Sequence, residues 1–390
     1  METVLEIGRQ QKYAIINRSF WPDNQVIGEA LLQFAERISS TSMVTVIAQS
    51  SKNIEEELEQ FNRGEDVKFK CCKLRALSGS SFLTRAFDSL LFTFWVIYNL
   101  LIERPSRIYV STDPPVLIPF VVRWYSKVFR ARYIYHLQDI HPEAVNSVTP
   151  LNSFVYACLR WMDNQALRNA SKLVTITNDM RSYIIKRSAT NVPIYLLSNP
   201  SFPVSKKTKV VIDRDLVFCG NLGRFQRIPL LLSAIERYLT EQGTLTFTFV
   251  GDGAFVSEVA QLSERCSQVE YLGRMSAQEA AKVVQKHAWG ILSIDDEVTK
   301  FAFPSKASSY IAAGCRILAV CGDGTNVAKW VVSNKLGIVS SPVIDDLVNH
   351  FREIEQKPMI IDSYSDIITQ RYSSSRFVDK LMSICEVKGD

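Results

Sequence analysis

Thirteen short apolar runs, rich in Val, Ile, Tyr and Phe, alternate along this chain with stretches of helical spacing. That alternation constrains the fold more than any single motif. Strand, helix, strand in succession closes into parallel pairs through right-handed crossovers, which lay helices over both faces of one sheet. The first seven strands are expected at Tyr13–Asn17, Val44–Ala48, Cys71–Leu74, Arg107–Ser111, Tyr133–Leu137, Lys172–Ile176 and Pro193–Leu197. A polar link, Ser205 to Lys209, follows Pro200 and Pro203, and the alternation then restarts. Six more strands are expected at Leu216–Cys219, Leu245–Val250, Val269–Leu272, Trp289–Ile294, Ile317–Cys321 and Gly337–Val339. With 390 residues the chain exceeds what one core holds, so the expectation is α/β with two doubly wound domains, 1–204 and 205–363.

An apolar fraction of 47% with 22% charged residues describes a chain that folds rather than one that stays disordered. The net charge of +5 is unevenly placed: Arg63 to Arg132 holds twelve Lys and Arg against five Asp and Glu. An anionic surface or substrate is therefore expected on the first half only. Within it, Ser89 to Ile102 is uncharged and apolar all round, but shorter than the roughly 20 residues that span a bilayer. It reads either as a buried helix or as one that dips into a membrane interface. Arg123, Lys127, Arg130 and Arg132, interleaved with Trp124, Tyr125 and Phe129, favour the membrane surface. No RNA- or DNA-binding signature accompanies them. The eight cysteines contain no C-x-x-C pair, and the four histidines show no metal-ligand spacing. Free thiols and the absence of a leader pattern near Met1 make the cytoplasm the expected location, with the inner face of the membrane as a candidate surface.

Chemistry is densest between Leu292 and Gly314. An apolar strand there turns acidic at Asp295, then crosses Pro304-Ser305-Lys306 into a small-residue helix that ends at Gly314. Ser305 is the expected N-cap and Gly314 the residue that closes the helix. Unpaired N–H groups, the helix dipole and the Lys306 ammonium would together favour a phosphate; the alternative is a solvated first-turn lysine. Three further strands end in glycine turns: Gly220-Asn221-Leu222-Gly223-Arg224, Gly251-Asp252-Gly253 and Gly273-Arg274. One such turn is commonplace; three in the half that carries Lys306 indicate a backbone built for close approach to a ligand. Ligands of parallel sheets sit beyond the carboxyl ends of strands, which selects Asp139 and the Trp21–Asp23 loop in the first half. Asp213-Arg214-Asp215 matches a metal-binding D-x-D but precedes its strand, and is read as fortuitous.

Taken in order, these turns with Phe303-Pro304-Ser305-Lys306 and Tyr310-Ile311-Ala312-Ala313-Gly314 resemble family 4 glycosyltransferases, in particular the bacterial subgroup of O-antigen and exopolysaccharide (colanic-acid-type) assembly. Gln138-Asp139-Ile140-His141-Pro142-Glu143 resembles the acceptor-domain motif of that subgroup. The likeness is dense from Arg214 to Ser341 and patchy before it. It implies the GT-B fold, two Rossmann-like domains facing across a cleft, and retaining, metal-independent sugar transfer from a nucleotide sugar, with no cofactor. By that resemblance the segment 364–390 crosses back to brace the first domain; a cap on the second domain is the alternative.

The resemblance also implies roles. Asp139, Lys306 and Arg224 would be catalytic. Gly220, Asn221, Leu222, Gly223, Gly251, Gly273, Arg274, Pro304, Ser305, Ser309 and Tyr310 would hold the donor, and Gln138 and His141, joined by Trp21 and Asp23 on the position of their loop alone, would face a lipid-linked saccharide acceptor. Departures are specific. Ser309 and Phe301 stand where many relatives carry glutamates, and Gln138 where a histidine often precedes the aspartate. The family's phosphate-binding Arg and Lys fall near Asn221 and Gln226, leaving Arg224, Arg227 or Lys306 to carry the phosphate charge. A non-catalytic subunit of the same fold remains the rival expectation.

Overall fold

A computed structural model describes residues 11–73, 82–147, 149–201, 212–356 and 370–386. Its described strands form two sheets. The first takes β1 (Lys12–Ser19), β2 (Met43–Ser50), β3 (Val67–Lys73), β4 (Arg107–Ser111), β5 (Arg132–His136), β6 (Lys172–Thr175) and β7 (Ile194–Leu196) in the order β3-β2-β1-β4-β5-β6-β7. The second takes β8 (Arg214–Cys219), β9 (Phe247–Val250), β10 (Val269–Tyr271), β11 (His287–Ser293), β12 (Arg316–Val320) and β13 (Gly337–Ser340) in the order β10-β9-β8-β11-β12-β13. Every pairing between these strands is parallel. Strand order reverses between β1 and β4 in one sheet and between β8 and β11 in the other. Those two points are where a doubly wound sheet opens a crevice.

Central strands are covered on both faces, which is why β9 and β11 are buried throughout. Helices meet them with a single apolar stripe. Ile27–Ser39 turns Leu31, Phe34, Ala35 and Ile38 inward at the i, i+3, i+4, i+7 spacing. Ala277–Val284 starts on a capping box in which the Ser276 hydroxyl and the Glu279 carboxylate each satisfy the other's backbone N–H.

The expected boundary near 204–205 falls outside the described residues, as does much of the return segment. The last helix returns to the first domain. This helix, Ser374–Cys385, sets Phe377, Val378, Leu381 and Ile384 into the same core as Tyr13 and Phe34. Its last carbonyls are capped from the first sheet, Ile384 O by Lys172 Nζ at 2.7 Å and Cys385 O by Arg107 Nη1 at 3.2 Å. Just before it, Tyr372 accepts a bond from Trp330 Nε1 at 3.0 Å, and its carbonyl accepts from Ser201 N–H at 3.1 Å.

The apolar run expected at Ser89–Ile102 belongs to a longer helix, Phe82–Glu103, and is neither wholly buried nor wholly free. Phe92, Val96 and Leu100 face the core, while Leu90, Phe94, Tyr98 and Leu101 are exposed on the opposite side. Among the described residues no helix is long and apolar enough to cross a membrane.

Candidate active site

The loops that leave β8, β9 and β10 continue the sheet past the end of its strands. Gly220 N–H donates to Val250 O and Gly251 N–H to Gly273 O, both at 2.8 Å, and Leu222 N–H donates to Asp252 O at 2.8 Å. Gly251 has φ +141°, and a Cβ there would stand 1.9 Å from the Gly220 carbonyl oxygen, so this close approach tolerates only glycine. Gly223 is buried, Gly273 has φ +69°, and Asn221, Arg224 and Arg274 are exposed on these turns. Leu222 lies in the core with its N–H and C=O engaged by Asp252 and Phe255, so its side chain faces away from any ligand.

Lys306 opens helix Lys306–Ala313 directly beside Gly220; its Nζ lies 3.7 Å from the point where a Gly220 side chain would begin. The residue is half-buried as a whole, but its ammonium nitrogen is sealed, with no hydrogen-bond partner among the described residues. Burial pushes its pKa down to about 7. The alternative of a solvated first-turn lysine is therefore not what the structure contains. A cation buried without a counter-ion marks a place prepared for an anion. Ser305 precedes it at the N-cap position but makes no capping bond with its side chain, and it stays exposed.

Two members of the expected donor set point inward. Tyr310 is in the core, its hydroxyl accepting from Cys219 N–H at 2.9 Å and donating to Ile291 O at 3.2 Å. Gly290 makes room for that ring, since a Cβ there would fall 2.4 Å from it. Ser309 is buried one residue earlier. Tyr310 thereby ties the helix to β8 and β11. Arg227, a candidate for phosphate charge, is paired with Asp296 at 3.0 Å and Asp295 at 3.4 Å. Arg224, by contrast, has no ion-pair partner among the described residues. Asp215 of the D-x-D accepts from the Thr246 N–H and hydroxyl, at 2.8 and 2.9 Å, as part of the sheet margin.

Opposite lie the loops after β1, β4 and β5. Asp139 is half-buried in the cleft, and desolvation followed by the nearby charge of Asp113 pushes its pKa up to about 6. Asp113 is itself held by Arg18 at 3.0 Å and by the Ser19 N–H at 2.8 Å. His141 is pushed down to about 4 by burial, then by Arg187, and its Nδ1 has no partner among the described residues. Gln138 is half-buried, its N–H donating to the Thr112 hydroxyl at 3.2 Å. The Trp21–Asp23 loop is engaged within its own domain: Trp21 packs edge-on to Phe61, and Asp23 accepts from Ser50 and Ser51. Gln25, which the sequence did not single out, is the residue of that loop that reaches across, its Oε1 accepting from Ala277 N–H at 2.9 Å.

A cavity of about 460 Å³ lies between the two sets of loops. Asp139, His141, Ala144 and Val145 line it from one side, and Phe225, Gln226, Ile294, Phe303, Pro304 and Ser305 from the other. Phe225 and Gln226 were not selected from sequence; their position just beyond a glycine turn is the signal that locates them. The arrangement is a cleft with the Asp139 carboxyl on one wall and, on the other, Ser305 just before Lys306 and Phe225 and Gln226 just after the Gly220–Gly223 turn; Lys306 and the glycines lie beside this cavity rather than in its lining. Among the described residues no three or more His, Cys, Asp or Glu are grouped to hold a metal ion.

No family model matches the chain. It is 26% identical over 290 residues to a probable glycosyltransferase, WbjE, of Pseudomonas aeruginosa, covering 70% of this chain and 72% of that protein. Its fold matches that of HepE from Anabaena, solved in complex with UDP, with a TM-score of 0.66 at 16% identity over 97% of this chain and all of that one. A lipopolysaccharide outer core galactosyltransferase, WaaB, in its apo form matches with a TM-score of 0.58 at 16% identity, over 96% and 99% of the two chains. Two parallel sheets with this likeness constitute the GT-B fold.

Proposed function

We propose that this chain is a glycosyltransferase that moves a hexosyl unit from a nucleotide sugar to a saccharide acceptor in surface polysaccharide or lipopolysaccharide assembly. The observation that carries the reading is the sealed Lys306 ammonium, which stands beside Gly220 with no hydrogen-bond partner among the described residues. The likeness to WbjE and the UDP bound to HepE agree with it. The donor diphosphate sits against Gly220, Gly251, Gly273 and the start of helix Lys306–Ala313, with Arg224 and Arg274 at its open side. As the bond from the anomeric carbon to the diphosphate breaks, Lys306 and Arg224 stabilise the charge that gathers on the leaving group. Transfer proceeds with retention, the departing phosphate taking the proton of the acceptor hydroxyl. No metal ion is required in this scheme. Asp139 orients the acceptor hydroxyl across the cleft, a positional contribution.

The acceptor is lipid-linked in this reading. On helix Leu117–Phe129 exposed Trp124 and Val128 stand at helical spacing with Arg123 and Lys127, each of which stacks a cation on Trp124, and the neighbouring helix Phe82–Glu103 exposes Phe94 and Tyr98. Such a face suits an anionic membrane surface on the cytoplasmic side. Incubation with a panel of labelled nucleotide sugars tests the function: one donor is hydrolysed slowly on its own and transferred when extracted lipid-linked saccharide is added. A panel in which every donor survives intact and none raises thermal stability would instead favour a non-catalytic subunit.

A further inference from the structure

Phe301 belongs by sequence to the second domain, yet its side chain packs against the core of the first. Its ring stands 5.2 Å from that of Tyr183 at 71°, an edge-to-face pair across the cleft. The backbone around it is tied to the same partner. Ile140 N–H donates to Phe301 O at 2.7 Å, and Asp139 and Ala302 form an isolated antiparallel bridge. The first domain holds its side of this junction with one helix, Asn178–Ser188. There the Tyr183 hydroxyl donates to Glu143 at 3.0 Å. One turn on, the buried Arg187 donates to His141 O at 2.9 Å and to Glu143 at 2.7 Å, and also pairs with buried Asp163. Residues 139–143 are thus gripped from behind by Tyr183 and Arg187 and from in front by residues 301 and 302.

We infer that Phe301 and Tyr183 are positioning residues, a fastener across the cleft that sets where Asp139 stands in the cavity it shares with Ser305. Neither ring needs to touch a substrate. The bridge between Asp139 and Ala302 is a backbone one, and a backbone bond such as that from Ile140 N–H to Phe301 O exchanges with water unless packing excludes it. The aromatic pair provides that packing. Closing the two domains and placing the carboxyl are then one event rather than two.

The test uses the full chain and two readouts, of which only the second rests on the proposed transfer activity. In hydrogen exchange, Phe301→Ala speeds exchange of the Ile140 amide by about tenfold or more while protection in both sheets is retained. In steady-state kinetics the same variant lowers kcat on the order of 10–100-fold with donor KM changed by less than about threefold, the mark of misplacement rather than lost binding. Phe301→Tyr, which keeps the ring, restores both. Tyr183→Ala reproduces the loss from the other side, and the double variant loses no more than either single one, because the two rings act as a unit. An Ile140 amide that exchanges alike in wild type and Phe301→Ala overturns the fastener, as do strictly additive losses. Should Phe301→Ala not fold, Phe301→Leu and Tyr183→Ala carry the same comparison. A wild-type protein without transfer activity counts against the proposed function, and the exchange measurement then decides the fastener by itself.

Discussion

Lys306 Nζ lies 3.6 Å from the centroid of the Phe218 ring, a cation over an aromatic face with no anion beside it among the described residues. The ring offsets part of the cost of desolvation and leaves the ammonium weakly held as a proton donor. With a pKa near 7, the group is about half charged in the free protein at neutral pH. A bound diphosphate favours the charged form, so binding takes up a proton. With UDP, the nucleotide bound to HepE, as the probe, affinity should therefore fall as pH rises from 6 to 8, and calorimetry in buffers of different ionisation enthalpy should register the uptake. Lys306→Met should abolish that pH dependence and reduce transfer by about 10²–10³-fold. Because the folded value lies below the ordinary lysine value of 10.5, the unfolded chain binds the extra proton between about pH 7 and 10. Stability of the free wild type thus rises with pH across that window, and the variant loses the slope. UDP affinity in Lys306→Met equal to wild type at pH 6 would remove the lysine from the donor site.

Asp139 gives the opposite sign. Its folded pKa of about 6 exceeds the ordinary 3.8, so the native state binds the extra proton between those values and stability falls as pH rises through them. Asp139→Asn should flatten that part of the urea-midpoint profile. Orienting an acceptor hydroxyl requires the ionised carboxylate, so wild-type kcat should climb as pH passes about 6. Asp139→Ala should lower transfer by at least about 10²-fold and leave UDP affinity within a few-fold. A variant that transfers at the wild-type rate would take Asp139 out of the mechanism.

Gly251→Ala tests the ladder of glycine turns. The added methyl meets the Gly220 carbonyl oxygen at 1.9 Å and sits on a backbone with φ +141°. Both turns must then move apart, at an expected cost of about 3 kcal/mol or more. Urea unfolding should show that loss, and UDP binding should fall with it. A loss below about 1 kcal/mol would mean that the turns yield easily and do not hold a fixed site.

Vesicle flotation addresses the first domain. Liposomes with anionic lipid should carry the protein at low salt and release it as salt rises, because each basic residue near the surface contributes about 1 kcal/mol that screening removes. Phe94→Ser with Val128→Ser, both at positions more than half exposed, should weaken flotation without unfolding the chain. Equal recovery with neutral and anionic vesicles would contradict an electrostatic surface.

Much of this architecture is legible in the sequence because it is local. Each of the thirteen expected runs overlaps a described strand, since burial on both faces forces near-continuous apolar composition in the central ones; the edge strand β3 starts at Val67 rather than the expected Cys71, because its half-exposed stretch interleaves lysines with apolar residues. Gly314 closes its helix with φ +87°, as a residue free of Cβ strain should. What the sequence does not show are contacts distant in sequence. Tyr310 looked like part of a donor motif, but Gly290 on a neighbouring strand leaves a slot that draws its ring inward. Asp23 looked available until Ser50 and Ser51 arrived from the next strand. Phe301 read as a missing glutamate, whereas Tyr183, more than a hundred positions earlier, makes it a packing residue. Spacing reveals which face a helix buries; it does not reveal which remote side chain will fill the gap.

The return of helix Ser374–Cys385 to the first core has a consequence for synthesis on the ribosome. Tyr13 and Cys385 share one apolar cluster, so that cluster cannot close while the intervening chain is still being translated. The second sheet draws its described strands from residues 214 to 340 and can assemble as soon as they emerge. The part of the molecule made first is therefore finished last. Until residues 377 to 384 arrive, the nascent protein leaves uncovered the flank of Ile27–Ser39 that meets them, where holding chaperones would find a target.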